Sequence, residues 1–593
     1  MNLRTTGIWL VIAAALFAFI FLFERFPPPP ASTGILSGLR PAAVTSVQVI
    51  PSGALEIRAD RTNGTWLLTK PVPYPAQPAA IEVLLDALQK LASVTRIGAG
   101  ELHRLTNADA EFGFEPPQIK LTLEAAGQRW QLLVGNKTAP GDQLYLRVVG
   151  IEGAFVADAD WLKFIPRSAN DWRDTALVNL GGMPLDWILL TNGTKAIELR
   201  RNPTNNFWRM TVASLQARAD GDRIIGDLQR LQTARVSRFV TDDPKADLAA
   251  FGLQPADLDL WLGRGTNLVA ALHVGKSPTN DPAQVFARRE GWNAIVTTAR
   301  EPLSPWYGAV NDFRDPRLLE LTSPVAEIEV RGQNNFILRQ QGTNDWKIVG
   351  EKYAADADTV QLFIKTLASL RIAEFVKTVV TAPDLSAYGL AAPQREIILR
   401  SKAGDTNAVI AQLSFGAAQT NEVFVRCGGE DFIYAVTTRD FNRLPEADWE
   451  FRDLRIWDFK TADVAQIMIH QDGKTLQIAH NGTGKWSLAA GQAIIEDKYI
   501  EQTVQMFHDL AAVGWVGPNL TGLEQYGFGT NSLQITFELK NGEKDTVDFG
   551  AEFQQRQTAL AGVTLDGEQW AFLFPPALYQ LVLSYLTIPA NVP

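Results

Sequence analysis

The sequence predicts an α+β protein in which an N-terminal transmembrane helix is followed by four tandem, sheet-rich α+β repeat modules of about 139 residues each. Three observations predict it. An aromatic-Gly pair recurs at Phe112-Gly113, Phe251-Gly252, Tyr388-Gly389 and Tyr526-Gly527, with the glycines 139, 137 and 138 residues apart. That period is domain-sized, well beyond the roughly 20–50 residues of ordinary solenoid units. A tryptophan recurs in step with it, at Trp66, Trp208, Trp346 and Trp486, and residues 8–23 form an uncharged apolar run near the N-terminus. Length agrees independently: 593 residues at about one domain per 150 suggest four domains. The expected boundaries are an anchor at 1–26, a Pro-rich linker at 27–41, and modules at 42–180, 181–321, 322–459 and 460–593, the last including a C-terminal tail.

The apolar run follows Arg4, and its sixteen residues correspond to about 24 Å of helix, short of a ~30 Å hydrocarbon core unless Gly7, Trp9 and Phe26 extend it. The positive flank predicts a cytoplasmic N-terminus, with everything after Phe23 on the extracytoplasmic, periplasmic side of the inner membrane. A cleaved signal peptide is the rival, although the exit ERFPPPPAS has no convincing small-residue cleavage site. Pro27 to Pro30 then predict a stiff polyproline spacer.

Each module opens with alternating strand patterns, Val47 with Val49 and Leu55 with Ile57, and an Asn63-Gly64 turn into the strand holding Trp66 and Leu68. A tryptophan there is expected to anchor the core. An amphipathic helix follows, with Ala80, Val83, Leu84, Ala87, Leu88 and Leu91 predicted on its buried face and counterparts at 224–231, 360–370 and 500–507. Asp220 and Asp222, Asp356 and Asp358, and Glu496 and Asp497 precede three of these helices. Paired carboxylates can do acid–base work, but at a helix start they cap free N–H groups and meet the positive end of the dipole. Next comes the aromatic-Gly signature, leading into two strands that close on Gly135, Gly275, Gly416 and Gly550. Two further strand-like runs follow, at 143–149 and 153–158 in the first module, and a short helix with Trp161 and Phe164.

Modules one to three end on an aromatic-Arg-Asp triplet: Trp172-Arg173-Asp174, Phe313-Arg314-Asp315 and Phe451-Arg452-Asp453. The fourth has none. A motif present only where another module follows suits a junction, with Arg and Asp making charge-assisted hydrogen bonds across it. A row of ligand-binding arginines is the alternative.

Composition narrows the function. Net charge is -10 with a pI near 5.3, and no Lys/Arg run could neutralise successive phosphates, so nucleic acid is not an expected partner. Cys427 is the single cysteine and can form neither an intramolecular disulfide nor a thiolate metal site. The five histidines, His103, His273, His470, His480 and His508, have no metal-ligand spacing. Val274-Gly275-Lys276-Ser277 lacks the first glycine of a phosphate loop and is followed by Pro278. The tripeptide NGT at Asn63, Asn192 and Asn481 fits a glycosylation acceptor, but Asn-Gly between strands is first a hairpin turn. No catalytic, cofactor-binding or metal residues are therefore assigned, and no cofactor is expected.

The motifs Glu111-Phe112-Gly113-Phe114-Glu115-Pro116, Ala250-Phe251-Gly252-Leu253-Gln254-Pro255 and Ala387-Tyr388-Gly389-Leu390, with the strand tryptophans and Arg-Asp closures, resemble the bacterial domain-of-unknown-function family numbered 4340. The resemblance runs from Ala42 onward, and the fourth copy, Tyr526-Gly527-Phe528-Gly529, departs from it by lacking the following proline. Proteins that look like this are often encoded beside gliding-type ABC transporter subunits, and no catalytic residues are established for them. The resemblance thus implies a non-enzymatic binding or scaffold protein, accessory to an ABC-type membrane complex. Two other classes compete. A cell-envelope hydrolase would need a carboxylate pair that one module has and its siblings lack, converging in a pocket. An adhesive or glycan-binding stalk would show rows of exposed Trp or Tyr.

Overall fold

The structure, a computed structural model, describes residues 12–15, 17 and 34–588, except 183, 194, 322, 404–405, 481–484, 489–496, 520–522, 530 and 554–557. It divides into two compact units, Met1–Phe313 and Arg314–Pro593. Each unit holds two antiparallel sheets.

In the first sheet the strands are β1 (Ser46–Pro51), β2 (Ile57–Thr62), β3 (Thr65–Lys70), β4 (Tyr74–Pro75), β5 (Thr95–Ile97), β6 (Ile119–Ala125), β7 (Gln128–Lys137), β8 (Gln143–Val148) and β9 (Ala154–Asp158). Their order is β4-β3-β2-β1-β6-β7-β8-β9-β5. Two meanders thus meet at the β1–β6 pair, and the chain between β4 and β6 supplies the helix Pro78–Gln89 and the far edge strand β5. The same order recurs in the sheets spanning 187–299 and 327–437, and again in the fourth sheet, 464–573, which has eight strands among the described residues. Asn63 and Gly64 both take left-handed backbone angles and join β2 to β3, so this NGT is a hairpin turn. Asn192-Gly193 likewise joins two paired strands, while Asn481 lies outside the described residues.

One face of each sheet carries the main core. In the first module Val47, Val49, Ile57, Leu68, Leu121 and Leu123 alternate inward and meet the helix Pro78–Gln89. The helix buries Ile81, Leu84, Leu85 and Leu88, whereas Val83, expected inside, is exposed. The helix is apolar at most positions, so the i, i+3, i+4 rule fits more than one phase, and the sheet selects 81-84-85-88. Trp66, Trp208, Trp346 and Trp486 are all buried, with 3%, 4%, 1% and 5% exposure, and therefore offer no open stacking face. Asp220 and Asp356 cap their helices, accepting the amides of Arg223 (3.1 Å) and Thr359 (2.7 Å). Asp497 instead accepts the Trp486 amide at 2.8 Å, and Glu496 lies outside the described residues.

A smaller core covers the opposite sheet face beneath the aromatic-Gly loop: Leu102, Phe114 and Ala154 in the first module, Leu253, Phe286 and Ile295 in the second. Paired glycines hold that loop down. Gly113, Gly252, Gly389 and Gly527 have φ of 76°, 68°, 67° and 81°, where side chains are disfavoured. A Cβ on Gly135, Gly275, Gly416 or Gly550 would strike the carbonyl oxygen of Phe112, Phe251, Tyr388 or Tyr526. In three copies that carbonyl accepts the amide one residue beyond the strand glycine: Asn136 (2.8 Å), Lys276 (3.1 Å) and Ala417 (2.8 Å).

The fold class needs one correction. Among the described residues no helix is long and apolar enough to cross a membrane, so the expected N-terminal transmembrane helix is not found. Within 1–26 only residues 12–15 and 17 are described, as helix, and the rest lies outside the described residues. The physical weakness was length, since sixteen uncharged residues fall below the ~20 that span a hydrocarbon core.

Two substitutions test this architecture by chemical denaturation. Trp346→Ala should cost roughly 3–5 kcal/mol, the usual range for truncating a large buried aromatic. Gly416→Ala should cost roughly 1–3 kcal/mol, since the loop or the strand must shift to admit a methyl group. An unchanged midpoint in either variant would contradict the packing described.

Candidate functional site

The residues repeated outside the cores converge where one module hands over to the next. Within Met1–Phe313 the triplet Trp172-Arg173-Asp174 lies between the first and second sheets. Its first side is tied to its own module, with the Gln77 amide donating to the Trp172 carbonyl (2.7 Å) and the Asp174 amide to the Pro75 carbonyl (2.9 Å). Its second side is tied to the next, with Leu177 donating to Ala234 (3.0 Å) and Val236 donating to Thr175 (2.7 Å). The Asp174 carboxylate accepts the Ala176 amide at 2.9 Å, bending the chain between the two attachments.

Arg173 is 2% exposed. Its guanidinium carbon stands 4.5 Å from the Phe239 ring and 5.2 Å from the Tyr74 ring, and it donates to Asp242 at 2.8 Å. Tyr74 belongs to β4, at the edge of the first sheet, and Phe239 to the edge strand Val236–Thr241 of the second, so the cation joins two sheet edges. Arg289 approaches Tyr74 from 5.2 Å and donates to the carbonyls of Asp174 (3.3 Å) and Ala176. Burial raises the Tyr74 phenol above its ordinary pKa, with the neighbouring arginines opposing the shift.

Within Arg314–Pro593 the third and fourth modules repeat the arrangement. The Asp356 amide donates to the Phe451 carbonyl (2.7 Å), Asp453 to Ala354 (2.9 Å), Ile456 to Leu510 (2.9 Å) and Ala512 to Leu454 (2.8 Å). Arg452, 6% exposed, stands 4.2 Å from the Trp570 ring, 4.6 Å from Tyr353 and 5.3 Å from Trp515. It donates to Asp566 at 3.3 Å, and the Trp515 indole donates to the Arg452 and Asp453 carbonyls at 3.2 Å. Burial lowers the Arg452 pKa, with Asp566 acting against it. Burial is also the first cause that raises the Tyr353 phenol, followed by the charge of Asp448. Aromatic faces here replace the water that an arginine loses on burial.

At the start of the same unit, Arg314 is 3% exposed and lies 4.0 Å from Phe375, 4.7 Å from Phe432 and 5.7 Å from Tyr434. Asp315 and Asp453 accept the amides of Arg317 and Arg455, both at 3.0 Å, as Asp174 accepts that of Ala176. Cys427 ends a strand at this point, buried, with its thiol donating to the Leu318 carbonyl at 3.2 Å.

The triplets were visible in the sequence, but their aromatic partners were not. Tyr74 and Tyr353 stand three residues before the cap of their helices, and Phe239, Phe375 and Trp515 lie in the edge strand after the next helix. The second copy has Ala217 at the first of these offsets, so only the edge-strand aromatics recur from copy to copy. Elsewhere His273 sits between Asp259 (2.5 Å) and Glu290 (2.8 Å), and among the described residues no His/Cys/Asp/Glu group has metal-binding geometry.

Arg452→Ala should destabilise the 314–593 unit by roughly 2–3 kcal/mol, the scale of a desolvated cation over aromatic faces. It should also broaden the end-to-end distance distribution in small-angle scattering. Unchanged stability and scattering, with loss of a bound partner, would instead make the arginine a binding residue.

Comparison with curated proteins finds no match. A family model described as Domain of unknown function (DUF4340) matches three successive stretches, residues 66–206, 208–352 and 346–528. Each match begins at a strand tryptophan, Trp66, Trp208 or Trp346, and runs into the following module; together they cover well over half of the sequence, and the chain belongs to that family.

Proposed function

We propose that this chain is a non-enzymatic binding and scaffold protein, accessory to an ABC-type transport system of the gliding type. The observation that supports it is the use made of the repeated residues. The paired glycines close each module, the tryptophans fill its core, and the buried arginines join sheet edges within a unit. Such an arrangement spends the repeated residues on holding each module and its neighbour within a unit, and leaves the outer surfaces for binding. The transport partner comes from the family resemblance. An N-terminal basic residue followed by an apolar run is also what an export signal looks like, and the proposed place of action is the extracytoplasmic side.

The stalk alternative loses its expected feature, since no Trp or Tyr is exposed among the described residues. The hydrolase alternative has one observation in its favour. Glu524 and Asp548 line one cavity of the fourth module, where the sibling modules carry Ala110, Ala249 and Ser386, and Leu133, His273 and Ser414.

Affinity purification of the tagged full chain from detergent-solubilised cell envelopes should recover an ATPase and a permease subunit in a constant ratio. Recovery of neither subunit would overturn the transport role. Turnover of an envelope glycan that is abolished by Asp548→Asn would favour the hydrolase.

A further inference from the structure

The four modules can be compared strand by strand, and one cross-strand pair on the outer face of the sheet differs in kind. It reads Leu133↔Arg147, His273↔Arg288 and Ser414↔Arg426 in the first three modules, and Asp548↔Gly562 in the fourth. Three modules therefore supply a guanidinium at this place, and the fourth supplies a glycine opposite a carboxylate.

Each sibling arginine is engaged. Arg147 stands 4.5 Å from the Phe114 ring and pairs with Asp109. Arg288 donates to the Trp292 carbonyl at 2.9 Å, and Arg426 to Asp431 at 3.2 Å. In the fourth module the ring corresponding to Phe114 is Phe528, and a Cβ placed on Gly562 would lie 3.3 Å from its edge. Where the arginine would run there is a cavity of about 480 Å³, walled by Phe528, Val563 and Trp570, with Asp548 and Glu524 on its lining. Gly529 and Ser532 line it too, in the stretch where the first two modules close a tight turn through the Phe114↔Pro117 and Leu253↔Ala256 bridges.

No Lys or Arg lines this cavity among the described residues. Asp548 accepts a hydrogen bond from the neutral Gln534 amide at 2.6 Å, and burial raises its pKa, as expected for a carboxylate removed from water without a cation beside it. An anionic ligand would meet two carboxylates. A flat cation can stack on Phe528 and bond Asp548, which is the combination the first module makes internally with Arg147, Phe114 and Asp109.

We infer that the fourth module binds a guanidinium group from outside the chain, in the cavity between Phe528 and Asp548, at the place where the first module stacks its own Arg147 on Phe114. This inference is independent of the scaffold reading and assigns the Asp548 carboxylate to ligand pairing instead of hydrolysis.

Ligand-observed saturation-transfer NMR on the full chain tests it, with N-ethylguanidinium as probe and N-ethylurea as its neutral isostere. N-ethylguanidinium should bind about tenfold or more tightly than the urea, and Asp548→Asn should weaken it by about the same factor, the scale of one charge-assisted pair. Gly562→Arg should abolish probe binding while raising the melting temperature, because it restores the sibling pattern. Comparing agmatine with the peptide acetyl-Gly-Arg-Gly-amide distinguishes the source: tighter agmatine indicates a free small molecule, and a tighter peptide indicates an arginine of a partner protein. Equal binding of the urea, or probe binding unaffected by Gly562→Arg in a folded variant, would overturn the inference.

Discussion

The constraint on which each module depends is the absence of a side chain at two glycines. The loop glycine turns the backbone through a left-handed conformation, and the strand glycine lets the preceding carbonyl come close enough to accept a hydrogen bond from the strand. A methyl group at either position meets backbone, which cannot rotate away. The aromatic residue before the loop glycine is thereby placed over the outer sheet face, where Phe112 packs on Tyr145, Phe251 on Phe286 and Tyr388 on Phe424, with ring centroids 4.6–5.0 Å apart. A sheet that would otherwise have one buried face acquires a second, smaller core, and its β6–β7 register is fixed relative to the loop.

With both faces occupied, what remains for joining modules is the sheet edge, and exposed edges invite unwanted pairing. Within each unit the aromatic-Arg-Asp segments Trp172-Arg173-Asp174 and Phe451-Arg452-Asp453 cover them by pairing their backbone on one side with their own module and on the other with the next. The first module shows what happens where no such triplet precedes. Ile35 donates to the Leu91 carbonyl at 2.9 Å, as Leu177, Leu318 and Ile456 donate to Ala234, Leu370 and Leu510. Five residues beyond those carbonyls, where the later modules present Phe239, Phe375 and Trp515 to an incoming arginine, the first module has Arg96, stacked 5.6 Å from its own Phe155. A cation on an aromatic ring is kept at the edge strand, but there the module supplies both partners.

What could be read from the sequence follows from how local each constraint is. The glycine signature was legible because a positive φ and a close approach leave no alternative residue, so every copy repeats it. The strand tryptophans were legible for a related reason, since a large inward volume is hard to replace by anything else. The helix phase was not legible: with Pro78, Ala79, Ala80, Ile81, Val83, Leu84, Leu85, Ala87 and Leu88 all apolar, periodicity does not choose a face, and the sheet beneath decides. Nor were the partners of Arg173 and Arg452 legible, because each cage combines rings from two modules, and no window along one stretch contains both. The apolar run at 8–23 was legible as apolarity alone, and apolarity over sixteen residues does not specify a membrane span.

The same distinction between shared and private residues bears on where function lies. Positions that every copy keeps are those whose loss would undo a module: the paired glycines, the tryptophan and the inward strand residues. The outer-face pair beside the aromatic-Gly loop is under no such demand, since the main core and the glycine contact hold the sheet whether that pair is Leu133 with Arg147, His273 with Arg288 or Asp548 with Gly562. Freedom to vary there allows one framework to carry four different surfaces. In the first three modules an arginine occupies the face and finds its partners within the module. In the fourth the arginine is gone, the acid opposite lacks a cation, and the loop that would cover the space carries Gly529 and Ser532. A part-buried carboxylate with a neutral amide and no cation beside it carries a desolvation cost that a neutral residue would avoid. A guanidinium bound against Asp548 would offset that cost, as Asp109 and Arg147 offset each other in the first module.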